Sequence, residues 1–116
     1  MVLGNGENRI PIVHVDDLAD GYVRAIENGS ARGIYNLTSD RAVRYVDIVK
    51  TTAAAAGNDA ITHRDIDYQN HPFDYYFTVD QLISSERAKY ELGWRHKHVA
   101  VTDAADVYFQ AWKSYQ

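Results

Sequence analysis

The chain has 116 residues, of which 12 are basic and 16 are acidic, and its formal net charge is −4. A chain of this length buries about two thirds of its unfolded surface, which is enough to form one stable domain without disulfide cross-links. The acidic balance, without a run of like charges, argues against a nucleic-acid interface. The lack of cysteine excludes disulfides, thiolate zinc sites and a thiol nucleophile. We predict a single domain over residues 1–116.

The sequence shows no sign of secretion or of membrane insertion. It opens with Met-Val-Leu-Gly rather than with a basic segment followed by an apolar run, as a secretory signal would. Its apolar runs are too short to span a bilayer. We therefore expect a cytoplasmic protein that does not bind membranes.

The first quarter of the chain predicts a strand that leads directly into a helix. Residues 10–15 form a nearly continuous apolar run. Asp16 or Asp17 then offers a cap to the first turn of a helix that ends near residues 28–29. The 3.6-residue period gives this helix one buried face, formed by Leu18, Tyr22, Ala25 and Ile26.

The same alternation continues through the middle of the chain. Residues 33–38 predict a second strand, residues 45–56 a second helix and residues 60–66 a third strand. Gly57 is placed to close the second helix in the left-handed conformation. The buried stripe predicted for this helix is Val46, Val49, Ala53 and Ala56. Alternating strands and helices predict an α/β fold in which short strands pair mostly in parallel.

The last third predicts an irregular connection and two C-terminal helices. Residues 68–77 are rich in aromatic and polar side chains without a clear period. Ser84 or Ser85 can cap a helix that ends at Gly93. Thr102 can cap the last helix, whose predicted apolar stripe is Ala104, Tyr108, Ala111 and Tyr115.

The glycine turn near the N-terminus is not predicted to hold a dinucleotide. Residues 4–9 match only the first two glycines of a dinucleotide loop, and Arg9 stands where the third belongs. A strand rather than a helix follows the turn. A tyrosine and a lysine four residues apart, which could relay a proton, are also missing: Lys50 and Lys113 follow Tyr45 and Tyr108 by five residues.

No metal site is predicted from the histidines. His14 and Asp16 project from the same face of a strand, as a metal or a base-orienting pair requires. Asp16, however, stands where a helix cap belongs, which favours a structural role. His96 and His98 alternate in a loop without a third ligand nearby in the sequence.

Arg9 is the principal candidate for a binding residue. It follows a glycine turn and precedes a strand, and its planar guanidinium can clamp a phosphate with two hydrogen bonds. An ion pair with a nearby acid is the alternative.

Four ordered blocks resemble the extended short-chain dehydrogenases, the NAD-dependent epimerase/dehydratase family that includes UDP-galactose epimerase. The blocks are residues 4–27, residues 33–37, the helix to Gly57, and residues 79–94. The resemblance implies the region beyond the Rossmann core, with Arg9 in contact with the diphosphate of a nucleotide sugar. A second phosphate-binding arginine is expected before Asp80, and Arg64 is the candidate.

The family's cofactor glycines and its tyrosine–lysine pair belong to an N-terminal half that these residues do not include. The resemblance therefore implies the substrate-binding part of a nucleotide-sugar epimerase or dehydratase, with a UDP-sugar as the possible ligand, which binds no NAD alone and is not catalytic alone. On one interpretation the chain is a truncated or separately encoded portion, completed by a Rossmann-containing partner. On the other it is a free-standing homodimer that covers its open sheet edge and apolar face by self-association.

Overall fold

The structure is a computed structural model that describes all 116 residues. It divides into two compact units. The first unit contains residues Met1–Ile10, Val43–Gln81 and Val101–Gln116, and the second contains Pro11–Ala42 and Leu82–Ala100. Elements in chain order are β1 (Val2–Leu3), β2 (Arg9–Ile10), α1 (Val15–Glu27), β3 (Val43–Arg44), α2 (Tyr45–Ala55), β4 (His63–Arg64), α3 (Glu86–Leu92) and α4 (Ala105–Ser114).

All four strands lie in the first unit and form two small sheets. β1 pairs in parallel with β4, with Val2 opposite His63 and Leu3 opposite Arg64. β2 pairs with β3 in the antiparallel sense, with Arg9 opposite Arg44. The α/β class with short strands is confirmed, and one of its two strand pairs is parallel.

The second helix, α2, follows the prediction closely. It begins directly after β3, and Gly57 lies just beyond its end with φ of +77°. The amide of Asn58 donates to the carbonyl of Ala53 and so satisfies one of the last carbonyls of the helix. Val46 is buried, whereas Ala56, predicted to be buried, is exposed.

The second unit is built around Trp94. Its buried cluster consists of Ala88, Leu92 and Trp94. α1 packs against α3 in this unit. The half-buried apolar side chains around the cluster are Val13, Ala25, Ala31, Tyr35 and Leu37.

The bounds of α1 agree with the prediction, and its predicted buried face is correct in part, since Ala25 packs against the buried cluster and Leu18 is half-buried. Asp17 and Gly21 are buried, whereas Tyr22 is 62% and Ile26 81% exposed. The reason is steric: a side chain at Gly21 would overlap Leu37, so the bare backbone of this helix turn faces the core. The N-cap is His14, whose Nδ1 accepts from the Asp16 amide at 3.2 Å, rather than Asp16 or Asp17.

The predicted strands are shorter than expected because few residues have a strand partner. In residues 10–15 only the first belongs to a strand, and the Ile12 carbonyl accepts instead from the Ser39 amide. Residues 33–38 contain no strand, since the amide and carbonyl of Thr38 bond to the Ser85 hydroxyl. The third predicted strand is reduced to β4.

The C-terminal helices are confirmed, with changes at their starts. Gly93 ends α3 with φ of +62°, as predicted. α4 begins after Ala104, because Thr102 lies in a preceding 3₁₀ turn, and Ala111 and Tyr115 are exposed. The predicted irregular connection contains a 3₁₀ helix, Pro72–Phe77. None of the helices combines the length and the apolar character that crossing a bilayer requires.

Candidate functional site

The backbone of Arg9 is fixed on both sides. Its amide donates to Asp80 Oδ1 at 2.6 Å, and its carbonyl accepts from the Gln81 amide at 2.8 Å. The neighbouring Asn8 side chain donates to the carbonyl of Val79 at 3.4 Å. The side chain of Arg9 therefore extends from an anchored strand, while Arg9 itself is exposed.

The surroundings of Arg9 carry charges of both signs. Arg44, opposite Arg9, donates twice to Asp47 at 2.8 Å and once to Glu7 at 3.0 Å. These hydrogen bonds raise the pKa of Arg44. The hydrogen bonds from Arg44 also hold the pKa of Asp47 below its usual value, with smaller contributions from the charges of Lys50 and Arg9. The two carboxylates near Arg9, Asp47 and Glu7, are thus already paired with Arg44, which reduces their repulsion of an anion bound at Arg9.

Arg64 has a carboxylate partner that the sequence did not reveal. Its guanidinium donates to Asp74 Oδ1 at 2.8 Å, and the carboxylate of Asp74 is nearly buried. The hydrogen bond from Arg64 lowers the pKa of Asp74. Asp74 also accepts from the Asp67 amide at 3.3 Å. Arg64 thus ties β4 to the 3₁₀ helix, and it lies on a different sheet from Arg9.

The 3₁₀ helix presents aromatic side chains to solvent. Phe73, Tyr75 and Tyr76 are exposed, and Phe77 packs against Tyr45 at 5.8 Å between ring centroids. This aromatic surface is the remaining candidate for contact with a ligand in the first unit.

The glycine turn faces the protein rather than an open groove. Gly6 has φ of +68°, and a Cβ built on it would lie 2.6 Å from Val2 Cγ1 and 2.9 Å from Val46 Cβ. Its carbonyl accepts from the Val46 amide. The bare backbone of this glycine therefore serves the packing of α2 against β1.

A buried carboxylate organises the second unit, and sequence analysis missed it. The side chain of Asp17 is 3% exposed, and its Oδ2 accepts from the Lys97 and His98 amides at 3.0 Å each. Its Oδ1 accepts from His98 Nδ1 at 2.9 Å. Burial pushes the pKa of Asp17 up, but these hydrogen bonds outweigh burial and hold the pKa below its usual value. Asp17 lies four residues before Gly21 and therefore on the same face of α1. Because a glycine allows that face to approach the core closely, this spacing was the signal in the sequence that could have indicated a buried Asp17.

The loop that holds Asp17 also brings two histidines together. The rings of His14 and His98 stack with centroids 3.9 Å apart and an interplanar angle of 13°. Asp16 Oδ2 lies 3.7 Å from His14 Nδ1 and 3.9 Å from His98 Nε2. The structure therefore places a third potential metal ligand, His98, beside His14 and Asp16, which the sequence alone did not indicate.

The chain matches known proteins both in sequence and in fold. The model of the NAD dependent epimerase/dehydratase family matches residues 1–38. An uncharacterized protein of Schizosaccharomyces pombe is 30% identical over 112 residues, which are 92% of this chain and 38% of that protein.

Solved structures with similar folds include a dTDP-glucose dehydratase and a UDP-glucuronic acid epimerase. The dTDP-glucose 4,6-dehydratase of Bacillus anthracis in complex with NAD superimposes with a TM-score of 0.73 at 17% identity, over 97% of this chain and 34% of that one. The UDP-glucuronic acid 4-epimerase of Bacillus cereus, in complex with UDP-glucuronic acid and NAD, gives a TM-score of 0.69 at 16% identity, over 99% and 35%. The chain thus spans 34 to 38% of the length of these three relatives.

The sequence match covers the glycine turn, β2 and α1, and the structural likeness extends over nearly the whole chain. The family match over residues 1–38 agrees with the predicted resemblance to the NAD-dependent epimerase/dehydratase family, and the structural likeness supports the predicted fold.

Proposed function

We propose that this chain forms the substrate side of an NAD-dependent nucleotide-sugar epimerase or dehydratase, with Arg9 as the residue that contacts the diphosphate. The observation that carries the proposal is the anchored backbone of Arg9, held by Asp80 and Gln81 within hydrogen-bond distance. The UDP-glucuronic acid in the Bacillus cereus structure supports the choice of ligand class.

A fixed strand makes Arg9 well suited to bind an anion. A guanidinium offers paired N–H donors that match the oxygens of a phosphate, and such charge-assisted bonds are stronger than neutral ones. Because the backbone is already ordered, less conformational entropy is lost when the side chain binds. The pairing of Arg44 with Asp47 and Glu7 leaves those acids less repulsive to a diphosphate.

For Arg64 we propose an indirect role. A phosphate contact would require Arg64 to leave Asp74, and a nearly buried carboxylate without its partner is costly. Arg64 would instead hold the aromatic 3₁₀ helix beside β4, where Phe73 and Tyr76 offer stacking surfaces.

We further propose that these 116 residues neither bind NAD nor transfer a hydride without a second polypeptide segment that carries the cofactor site. The glycine turn is filled by Val2 and Val46, so no cradle for a pyrophosphate is formed there. The hydroxyl of Tyr45 donates to the Met1 carbonyl at 3.5 Å, which supports a packing role for this tyrosine. A Rossmann-containing segment, in the same polypeptide or in a partner, would supply both functions.

Arg9→Ala should weaken the binding of UDP-glucuronic acid by about 10- to 100-fold, the loss expected for charge-assisted hydrogen bonds worth roughly 1.5–3 kcal/mol. Isothermal titration calorimetry of the purified chain measures this change. Arg9→Lys should retain part of the affinity, because lysine keeps the charge but not the paired donors.

Arg95→Ala is the matched control, since Arg95 is an exposed arginine of the second unit. It should leave the affinity unchanged. Equal losses in both variants, or no saturable binding of the nucleotide sugar by the unsubstituted chain, would contradict the proposed site.

A second candidate function is self-association through α1, favoured by the exposed apolar side chains of this helix. Val15, Tyr22, Val23 and Ile26 are all at least half exposed. If they form a dimer interface, Ile26→Asp should convert a dimer into a monomer, because a charge would be buried without a partner. Sedimentation velocity of both proteins decides the matter, and a monomeric unsubstituted chain would rule out this function.

A further inference from the structure

Three metal-ligating side chains meet at the start of α1 in the second unit. One ligand atom from each of His14, Asp16 and His98 can be chosen so that all three lie within 4.8 Å of one another. We propose that these residues form a binding site for a divalent transition-metal ion of the Zn²⁺ class. The inference does not depend on the proposed nucleotide-sugar function, since Arg9 belongs to the other unit.

The environment of His98 is that of a prepared metal ligand. Its Nδ1 donates to the buried carboxylate of Asp17 at 2.9 Å, which leaves Nε2 as the nitrogen with a free lone pair. Metal-binding histidines almost always donate their other ring N–H to a carboxylate, a carbonyl or water, and this bond fixes the tautomer and the ring orientation. Asp17 is itself held by the amides of Lys97 and His98.

His14 supplies the second nitrogen. Its Nδ1 accepts from the Asp16 amide at 3.2 Å, so this nitrogen carries the lone pair that a metal requires. The stacked rings are nearly parallel, and two parallel rings cannot both point their lone pairs at one ion. One ring must therefore turn on binding, and His14 can do so by exchanging its cap bond to the Asp16 amide for a bond to the metal.

The two distances that involve Asp16 require only a small contraction. Around a tetrahedral ion with bonds of about 2.0–2.1 Å, ligand atoms are roughly 3.3 Å apart. Asp16 Oδ2 is 3.7 Å from His14 Nδ1 and 3.9 Å from His98 Nε2. The side chain of Asp16 is 71% exposed and can move to meet an ion.

The donor set selects the class of ion. Imidazole nitrogens suit Zn²⁺ and its neighbours, whereas Mg²⁺ and Ca²⁺ take oxygen ligands. Two imidazoles and one carboxylate fill three positions of a tetrahedron and leave the fourth to water or to a ligand. The chain has no cysteine, so thiolates cannot compete for the ion.

Isothermal titration calorimetry with ZnCl₂ on the metal-free, tag-free chain tests the proposal. We expect one saturable site, weakened at least tenfold in Asp16→Asn and in His98→Ala. His71→Ala, which removes an exposed histidine of the first unit, should bind Zn²⁺ with unchanged affinity. Co²⁺ bound in place of Zn²⁺ should show the visible absorption of a tetrahedral site, lost in Asp16→Asn.

His98→Ala also removes a partner of the buried Asp17 and can affect folding. Asp16→Asn, at an exposed side chain, is therefore the deciding variant. The absence of saturable Zn²⁺ binding, equal affinities in Asp16→Asn and the unsubstituted chain, or an equal loss in His71→Ala would each overturn the proposal.

Discussion

Trp94→Ala is expected to lower the stability of the second unit by about 3–5 kcal/mol, the range found when a large buried aromatic side chain is truncated. Trp94 is 0% exposed and forms the buried cluster of this unit with Ala88 and Leu92. Its indole Nε1 also donates to the carbonyl of Asp17 at 2.8 Å. The substitution therefore leaves a cavity and removes the partner of a buried carbonyl.

Trp94→Phe separates these two effects. Phenylalanine keeps much of the ring volume but cannot donate to Asp17, so the loss should be smaller, about 1–3 kcal/mol, the cost of a buried polar group without its partner. Urea unfolding followed by circular dichroism measures both variants against the unsubstituted chain. This signal is preferred to fluorescence because Trp94 is one of only two tryptophans.

Trp112→Ala provides the control for this experiment. Trp112 is 56% exposed on α4 of the first unit, and its removal should change stability by less than about 1 kcal/mol. Comparable urea midpoints for Trp94→Ala and Trp112→Ala would show that Trp94 does not hold the core of its unit.

The helices were predictable because their signals are local. Gly57 and Gly93 lie at the ends of α2 and α3 with positive φ, as their positions after apolar-periodic segments indicated. The face that α1 buries was not predictable in this way. Its orientation depends on the close approach of Leu37 to Gly21, sixteen residues apart in the chain, and apolar periodicity instead favoured Tyr22 and Ile26.

The strands were predicted too long for a related reason. An apolar run shows that a segment is buried, but strand bonding depends on a neighbour that supplies hydrogen bonds. At Thr38 the partner is the side chain of Ser85, 47 residues away. No pattern within residues 33–38 distinguishes a hydroxyl partner from a strand.

For the candidate sites, sequence analysis found single residues but not their partners. It singled out Arg9, His14 and Asp16, yet the contacts that define their surroundings join residues more than 70 apart, such as Arg9 with Asp80 and Asp17 with His98. The ion pair of Arg64 with Asp74 spans only ten residues, but the irregular composition of that segment concealed it.

Asp17→Ala should lower the stability of the second unit by about 2–4 kcal/mol at pH 7. The substitution removes the oxygen that accepts from the backbone N–H groups of Lys97 and His98 and leaves both groups without that acceptor. Asp17→Asn should cost less, since one amide oxygen can still accept from both backbone N–H groups. Asp16→Ala, one residue earlier and exposed, is the control that should leave stability nearly unchanged.

The pH dependence distinguishes the charge of Asp17 from its hydrogen bonds. Its pKa in the folded chain lies below the unfolded value of about 3.9, so the carboxylate stabilises the fold above that pH. This contribution is lost as the pH falls through the lower, folded pKa. The other carboxylates of this unit with lowered pKa values, Asp40 and Glu91, are present in both proteins and cancel in the comparison.

The difference in urea midpoint between the unsubstituted chain and Asp17→Ala should therefore be largest from pH 5 to 7 and should narrow below about pH 4. Asp17→Asn should follow the unsubstituted chain more closely at low pH than at pH 7, because a protonated aspartate and an asparagine are both neutral. A difference that stays constant from pH 7 to pH 3 would mean that Asp17 acts through packing and through hydrogen bonds that do not require its charge, and the ionised carboxylate would then have no part in holding the loop of His98 against α1.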